Sequence, residues 1–145
     1  MRLTLHTDYA LRVLVHVGLR DGQLVTINEI AESHGISKNH LTKVVHQLGR
    51  AGFLETVRGK YGGIRLLVRP EALRLGEFVR QVEEDFNLAR CMREETGDEC
   101  RVSATCLAKH AFGQGIAAFF EALNAHTLAD MIAAERQREP LAACG

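Results

Sequence analysis

The sequence predicts a mainly α-helical chain with a small β wing, a winged helix-turn-helix followed by a long helix in the C-terminal half. Two observations predict it. Apolar residues recur at helical spacing in three successive early segments, each opened by a Ser or Thr that can cap a helix. A basic, glycine-rich turn then separates two short, strand-like segments.

The first helix is expected to be capped by Thr7, with Asp8 in its first turn and Ala10, Val13, Leu14 and Val17 as its buried stripe. Asp21-Gly22 ends it. Thr26-Ile27-Asn28-Glu29 is a capping-box pattern, in which hydroxyl and carboxylate each satisfy an orphan amide. That second helix should run to about His34 and stop at Gly35. Ser37 caps a third, which buries Leu41, Val44, Val45 and Leu48. The short gap between the second and third helices is what a helix-turn-helix requires. Residues 53–57 and 64–68 read as two strands around Arg58-Gly59-Lys60-Tyr61-Gly62-Gly63, and Arg69-Pro70 closes the DNA-binding module at residues 1–70. In residues 71–145, a short amphipathic helix spans Leu75–Val82 and a polar loop covers 83–105. A helix from Leu107 to about Ala125 follows, with Phe112, Ile116, Phe119 and Leu123 on one stripe. Thr127 caps a last helix through Leu128, Met131 and Ile132, and Glu139 to Gly145 form a tail.

The 145 residues are 46% hydrophobic and 25% charged, ordinary values for a globular chain, and the net charge is zero. That zero conceals an asymmetry. Residues 1–70 hold ten Lys/Arg against five Asp/Glu, and residues 71–145 hold eight against thirteen. A basic half suits a polyanion, although chance clustering on solvated faces would give the same count. The opening residues lack an apolar core with a cleavage site, and no run reaches the roughly 18 apolar residues of a membrane span. The expectation is a cytoplasmic protein without a membrane partner, whose Cys91, Cys100, Cys106 and Cys144 are not a disulfide framework. No Ser-His-Asp or paired-carboxylate pattern stands out, so no enzyme is expected.

The exposed face of the third helix carries Lys38, Asn39, Thr42, Lys43 and His46. Asn pairs bidentately with adenine, and Lys meets guanine or phosphate. The amides near Ser37 favour a phosphate. Arg58, Lys60 and Arg65 surround the wing glycines, and an Arg at a wing can enter a narrow minor groove. Together with helix order these features favour double-stranded DNA over a merely wet helix face.

Cys91, Cys100 and Cys106 are spaced Cys-x8-Cys-x5-Cys among Glu94, Glu95, Asp98, Glu99 and Arg101. Free structural cysteines favour apolar surroundings, so three in a polar loop suggest a metal site. The spacing alone leaves iron–sulfur, zinc and no metal about equally weighted. Cys144 reads as incidental.

The segments Met1-Arg2-Leu3-Thr4, Thr7-Asp8-Tyr9-Ala10-Leu11-Arg12, Gly35-Ile36-Ser37-Lys38-Asn39-His40, Gln47-Leu48-Gly49-Arg50-Ala51-Gly52, Val57 through Leu66 and Thr127-Leu128-Ala129-Asp130 resemble, as a set, the iron–sulfur winged-helix regulators that include the NsrR and IscR types. The resemblance spans nearly the whole chain. IscR-like members supply a His three positions after the last cysteine. Here that position is Lys109, and His110 lies one residue later, turned by about 100°. NsrR-like members can use an Asp at the start of the first helix, and Asp8 matches. Without the resemblance Asp8 would read as a carboxylate complementing a helix N-terminus.

The resemblance therefore implies a DNA-binding repressor that senses nitric oxide through an iron–sulfur cluster held by Cys91, Cys100, Cys106 and Asp8, the last supplied across a homodimer. It implies [4Fe–4S], with [2Fe–2S] as the alternative, since the first cysteine gap is longer than the family pattern. Reaction of the cluster with nitric oxide would release a palindromic operator. The long helix from Leu107 is the implied dimerisation helix, with Phe112, Ile116, Phe119 and Leu123 as its seam. The rival readings are a cluster-biogenesis or redox regulator of the IscR type, a zinc-dependent repressor, and an iron–sulfur electron-transfer protein.

Overall fold

The computed structural model describes residues 2–93 and 105–142, with side chains to residue 138. Its elements run α1 (Leu5–Leu19), α2 (Ile27–His34), α3 (Lys38–Arg50), β1 (Leu54–Val57), β2 (Gly63–Leu66), α4 (Leu75–Val82), α5 (Leu107–Asn124) and α6 (Leu128–Ala142). A single 3-10 turn at Arg90–Met92 lies between α4 and α5. The architecture is mainly helical with a two-stranded antiparallel wing, as expected. No helix of the described residues is long and apolar enough to cross a membrane.

The core forms around α1. Ala10, Val13, Leu14 and Val17 are buried against Ile30 of α2 and the stripe Leu41, Val44, Val45 and Leu48 of α3. α1 also packs on β2 and α6. At the α6 contact a Cβ on Gly18 would run into the Ile132 side chain, so the absence of a side chain sets how closely the two helices approach. Thr26 and Glu29 form the expected capping box on α2, and Gly35 ends that helix in the left-handed region at φ 62°. Ser37 caps α3 through the His40 amide.

Several boundaries differ from the sequence reading. α1 begins at Leu5 and is capped by Thr4, whose hydroxyl accepts from the Thr7 amide. Thr7 lies inside the helix, fully buried, and its hydroxyl donates to Glu83 Oε1 at 2.6 Å. The same oxygen accepts from the Thr4 amide and, at 2.9 Å, from the Thr4 hydroxyl. A carboxylate just beyond α4 thus gathers three donors at the amino end of α1. Burial pushes the Glu83 carboxyl up, but the hydrogen bonds from Thr7 and Thr4 together outweigh it and hold the group below its ordinary 4.5.

β1 starts after Phe53, whose amide instead caps back to Leu48, and β2 starts at Gly63 and ends before Leu67. Val25 pairs with Ile64 on the far side of β2, adding a one-residue rung. The expected loop at 83–105 is irregular through residue 89 and then makes the 3-10 turn; residues 94–104 lie outside the described residues. α4 has no cap of its own at Arg74. Asn124 from the end of α5 supplies one, accepting from the Glu77 amide at 3.0 Å. Thr127 and Asp130 cap α6 reciprocally. That helix continues through Pro140 to Ala142, where the reading expected a tail.

On α5 only Phe120 is buried. It sits edge-on to Phe86 at 4.8 Å, with the Arg80 guanidinium 3.8 Å from its ring centroid. Ile116, Phe119 and Leu123 of the expected stripe are half-buried against the chain's own core, and Phe112 is exposed.

The clamp on α1 generates a pH prediction. Because the folded carboxyl of Glu83 lies below its unfolded value, its contribution is present above about pH 4.5 and is lost as pH falls through the lower folded value. Glu83→Ala should cost about 1 kcal/mol near neutrality. Glu83→Gln, which keeps an acceptor but cannot ionise, should flatten the acid limb of a urea-unfolding series. An unchanged limb would remove Glu83 from the account of acid stability.

Candidate functional site

The exposed face of α3 is continuous. Lys38, Asn39, His40, Thr42, Lys43, His46 and Gln47 all face solvent, opposite the four buried residues. Ser37, Lys38, Asn39, Thr42 and Lys43 are therefore on one accessible surface. Thr42 turns its hydroxyl back to the Lys38 carbonyl at 2.8 Å, so its methyl group is the part left to make outward contacts. His40 and Gln47 belong to the same face and were not singled out from sequence; a helical-wheel count to the end of the helix would have found them.

At the wing, Arg58 and Lys60 are exposed at the tip. Arg65 differs from them. Its Nε donates to Glu55 Oε2 at 2.7 Å, across the rung that pairs the two residues. Tyr61 at the tip is 84% exposed, with the Lys60 ammonium 5.6 Å from its ring. A groove between the wing and the helices is lined by Thr26, Asn28, Lys38, Thr56 and Gly62, so the start of α2, the start of α3 and the hairpin share one concave surface. Lys38 and the backbone at the start of α2 and α3 are its groups suited to a phosphate, while Val25, Ile27, Val57 and Ile64 make the rest of the lining apolar.

The thiol site is built differently. Cys106 is the N-cap residue of α5, half-exposed, and its own side chain makes no cap hydrogen bond. α5 has no acidic residue in its first turn. The positive end of the helix dipole favours an anionic group placed beside it. A shallow concavity next to Cys106 is lined by Met92, Lys109, His110 and Gln114. Cys91, also half-exposed, lies on the 3-10 turn beside Met92. Cys106 on this open concavity and Cys91 on the turn that borders it are soft sulfur donors, the ligand type that the irons of an iron–sulfur group take. Cys100 and Cys144 lie outside the described residues.

Asp8 is not brought to these thiols. It sits in the first turn of α1, half-exposed, and holds Arg12 through two contacts, Nε to Oδ2 at 3.0 Å and Nη2 to Oδ1 at 3.4 Å. It lines a different groove, between α1, α2 and α6. Among the described residues of one chain no three His, Cys, Asp or Glu side chains converge as a metal site.

Comparison with known proteins gives a consistent picture. Residues 3–134 match the model of the Rrf2 family, described as an iron-dependent transcriptional regulator. The chain is 44% identical over 133 residues to the HTH-type transcriptional regulator NsrR of Bacillus licheniformis, covering 91% of this chain and 92% of that one. It is also 44% identical to the regulator of the same name from Bacillus subtilis, over 91% and 90% of the two chains. Among solved structures it superposes on CymR, the global cysteine regulator of B. subtilis, with a TM-score of 0.70 at 22% identity, over 92% of this chain and 97% of that one. It superposes on IscR of T. potens with a TM-score of 0.69 at 24% identity, over 93% and 88%. The last two likenesses establish the shared winged-helix fold.

The surface of α3 and the wing yields a direct test. Asn39→Ala and Lys43→Ala should each weaken binding to a selected DNA duplex by about 1–3 kcal/mol if they read base edges. Arg58→Ala should weaken it with little change in preference at the major-groove positions, and Arg65→Ala should do less because Arg65 is already paired with Glu55. Fluorescence anisotropy across salt concentrations reads all four. Unaltered affinity in the first three variants would remove this face from DNA recognition.

Proposed function

The chain belongs to the Rrf2 family of transcriptional regulators, and from that membership we propose that it is a homodimeric repressor that senses nitric oxide through an iron–sulfur cluster. It is a regulator and not an enzyme. The observation that carries the sensing half of the proposal is the position of Cys106, at the amino end of α5 on a concavity beside the turn bearing Cys91. The names borne by relatives at 44% identity support the same reading.

In this reading residues 1–70 are the DNA-binding module, and residues 71–145 hold the cysteines and the dimerisation helix. Ser37 and Lys38 meet phosphate, Asn39, Thr42 and Lys43 face base edges, and Arg58 and Lys60 follow the backbone from the wing. Two copies related by a two-fold axis read a palindromic operator. Cys91, Cys100 and Cys106 bind a [4Fe–4S] group, with [2Fe–2S] as the alternative. Asp8 of a second copy provides the remaining ligand, in keeping with Asp8 and Cys106 lining different grooves of one chain. Bound there, the group supplies iron that reacts with nitric oxide.

The chain's own part follows from the geometry of α1. Asp8 is one residue past Thr7, which Glu83 holds. Diverting Asp8 to a ligand bond requires it to leave Arg12, a half-exposed pair worth about 0–1 kcal/mol. Releasing the ligand lets Asp8 return to Arg12 and frees the amino end of α1 to move. Because α1 and α3 share one core, that movement reaches the recognition helix.

Changing Cys91, Cys100 or Cys106 to Ala should abolish cluster retention, read anaerobically by absorption with iron and sulfide analysis, whereas Cys144→Ala should retain it. Full iron content in any of the first three variants would overturn the ligand set. Asp8→Ala should keep a cluster with an altered spectrum, and operator release on nitric oxide titration should no longer follow cluster loss. Spectra and release curves identical to the parent protein would return Asp8 to the role of a first-turn carboxylate, worth about 0.3–1 kcal/mol.

A further inference from the structure

The groove between α1, α2 and α6 contains two nitrogen donors that neither DNA contact nor thiolate chemistry uses. His16 projects from the last part of α1 and His34 from the last turn of α2. His16 is only 8% exposed, and His34 is half-buried. Nδ1 of His16 and Nε2 of His34 face each other at 3.2 Å, and the two rings meet edge-on at 67° with centroids 5.2 Å apart.

Two arrangements bring imidazole nitrogens this close. Two imidazoles on one tetrahedral metal, with bonds of about 2.0 Å, place their nitrogens about 3.3 Å and their centroids about 5.2 Å apart. A straight N–H···N hydrogen bond of the observed length would hold the centroids about 5.5 Å apart. An N–H···N bond bent by about 30° at each ring also gives about 5.2 Å, so the facing nitrogens fit both a shared proton and a shared metal, and metal addition tells the two apart. Edge-to-face packing alone would be served by two hydrocarbon rings and does not require facing nitrogens.

We propose that His16 and His34 chelate a divalent transition metal of the Zn2+ class at the α1–α2 junction, with water completing its coordination. Among the described residues no third His, Cys, Asp or Glu joins them, so the site is open and exchangeable rather than a closed structural centre. Ser33 and Glu135 line the same groove and are polar groups that metal-bound water can reach. Three arginines line the groove, Arg12, Arg20 and Arg138; in this structure Arg12 is paired with Asp8 and Arg138 with Glu135, and a bound metal competes with the charge of all three. A metal here would join the ends of the two helices directly before the Gly35 turn, and so stiffen the element that delivers α3. The inference does not depend on the cluster.

The test uses the full chain with 15N-labelled histidine, titrated anaerobically with zinc chloride. Long-range proton–nitrogen spectra should show Nδ1 of His16 and Nε2 of His34 shifting together at one equivalent, and the unfolding midpoint should rise. His16→Phe and His34→Phe keep a ring in place and should each abolish both responses; His34→Gln, on the more exposed side, serves if His16→Phe does not fold. Cys91→Ser and Cys106→Ser should leave both responses intact, which separates this site from thiolate-bound zinc. Cobalt bound in the cysteine variants should give ligand-field bands without a sulfur charge-transfer band. If pH moves the two nitrogens but zinc does not, the pair shares only a proton and the proposal is overturned. Survival of the zinc response in both histidine variants overturns it equally.

Discussion

Burial of α1 against α2, α3, β2 and α6 constrains the rest of the molecule. Its stripe of Ala10, Val13, Leu14 and Val17 is shared with α2 and α3, and other faces touch β2 and α6. Burying aliphatic side chains of this size contributes about 1.5–3 kcal/mol each. The half-exposed Asp8–Arg12 pair on the same helix contributes at most about 1 kcal/mol. The helix as a body is therefore fixed by its apolar face, while the carboxylate at its amino end is cheaply redirected. That difference in magnitude is what a trigger needs, since a small local change can act on a rigid lever. Glu83 refines the point, because its oxygen ties Thr4 and Thr7 to the end of α4 and makes the chain leading to the cysteines part of the same body.

Much of this was readable from local pattern. The caps at Thr26, Ser37 and Thr127 and the four buried residues of α3 depend on neighbours three or four positions away, and each was found where expected. What could not be read depends on distant partners. Thr7 has the same chemistry as Thr4, and the choice between them is made by a carboxylate 79 positions downstream of Thr4. Arg65 looked like a wing cation until the hairpin register set Glu55 opposite it. On α5 the periodic stripe is real, but periodicity does not say which apolar residue meets α4. Phe120 does, because Arg80 and Phe86 close over it.

The candidate site divides along the same line. Residues of α3 and the wing that come from contiguous sequence lie on one surface. Ligands proposed from opposite ends of the chain do not meet within it: Asp8 faces one groove and Cys106 another. A set of ligands divided between two grooves is incomplete in a single chain, and symmetry is the simplest way for one sequence to complete it.

The surface of α5 bears on that step. Over 18 residues only Phe120 is buried, while Leu107 is 79% exposed and Phe112 also faces solvent. Helical stability in water comes mainly from packing an apolar face, and α5 packs Phe120 fully and Ile116, Phe119 and Leu123 in part, which leaves its other side uncovered among the described residues. Small residues at Ala108, Ala111, Gly115, Ala118 and Ala122 leave the exposed side smooth enough for close approach by another helix. In the proposed dimer, covering that side would bury Leu107 and Phe112 beside the turn that begins at Cys106. The contact that stabilises α5 and the contact that completes the ligand set would then be one and the same, so losing the ligand would be felt at the dimer interface as well as along α1.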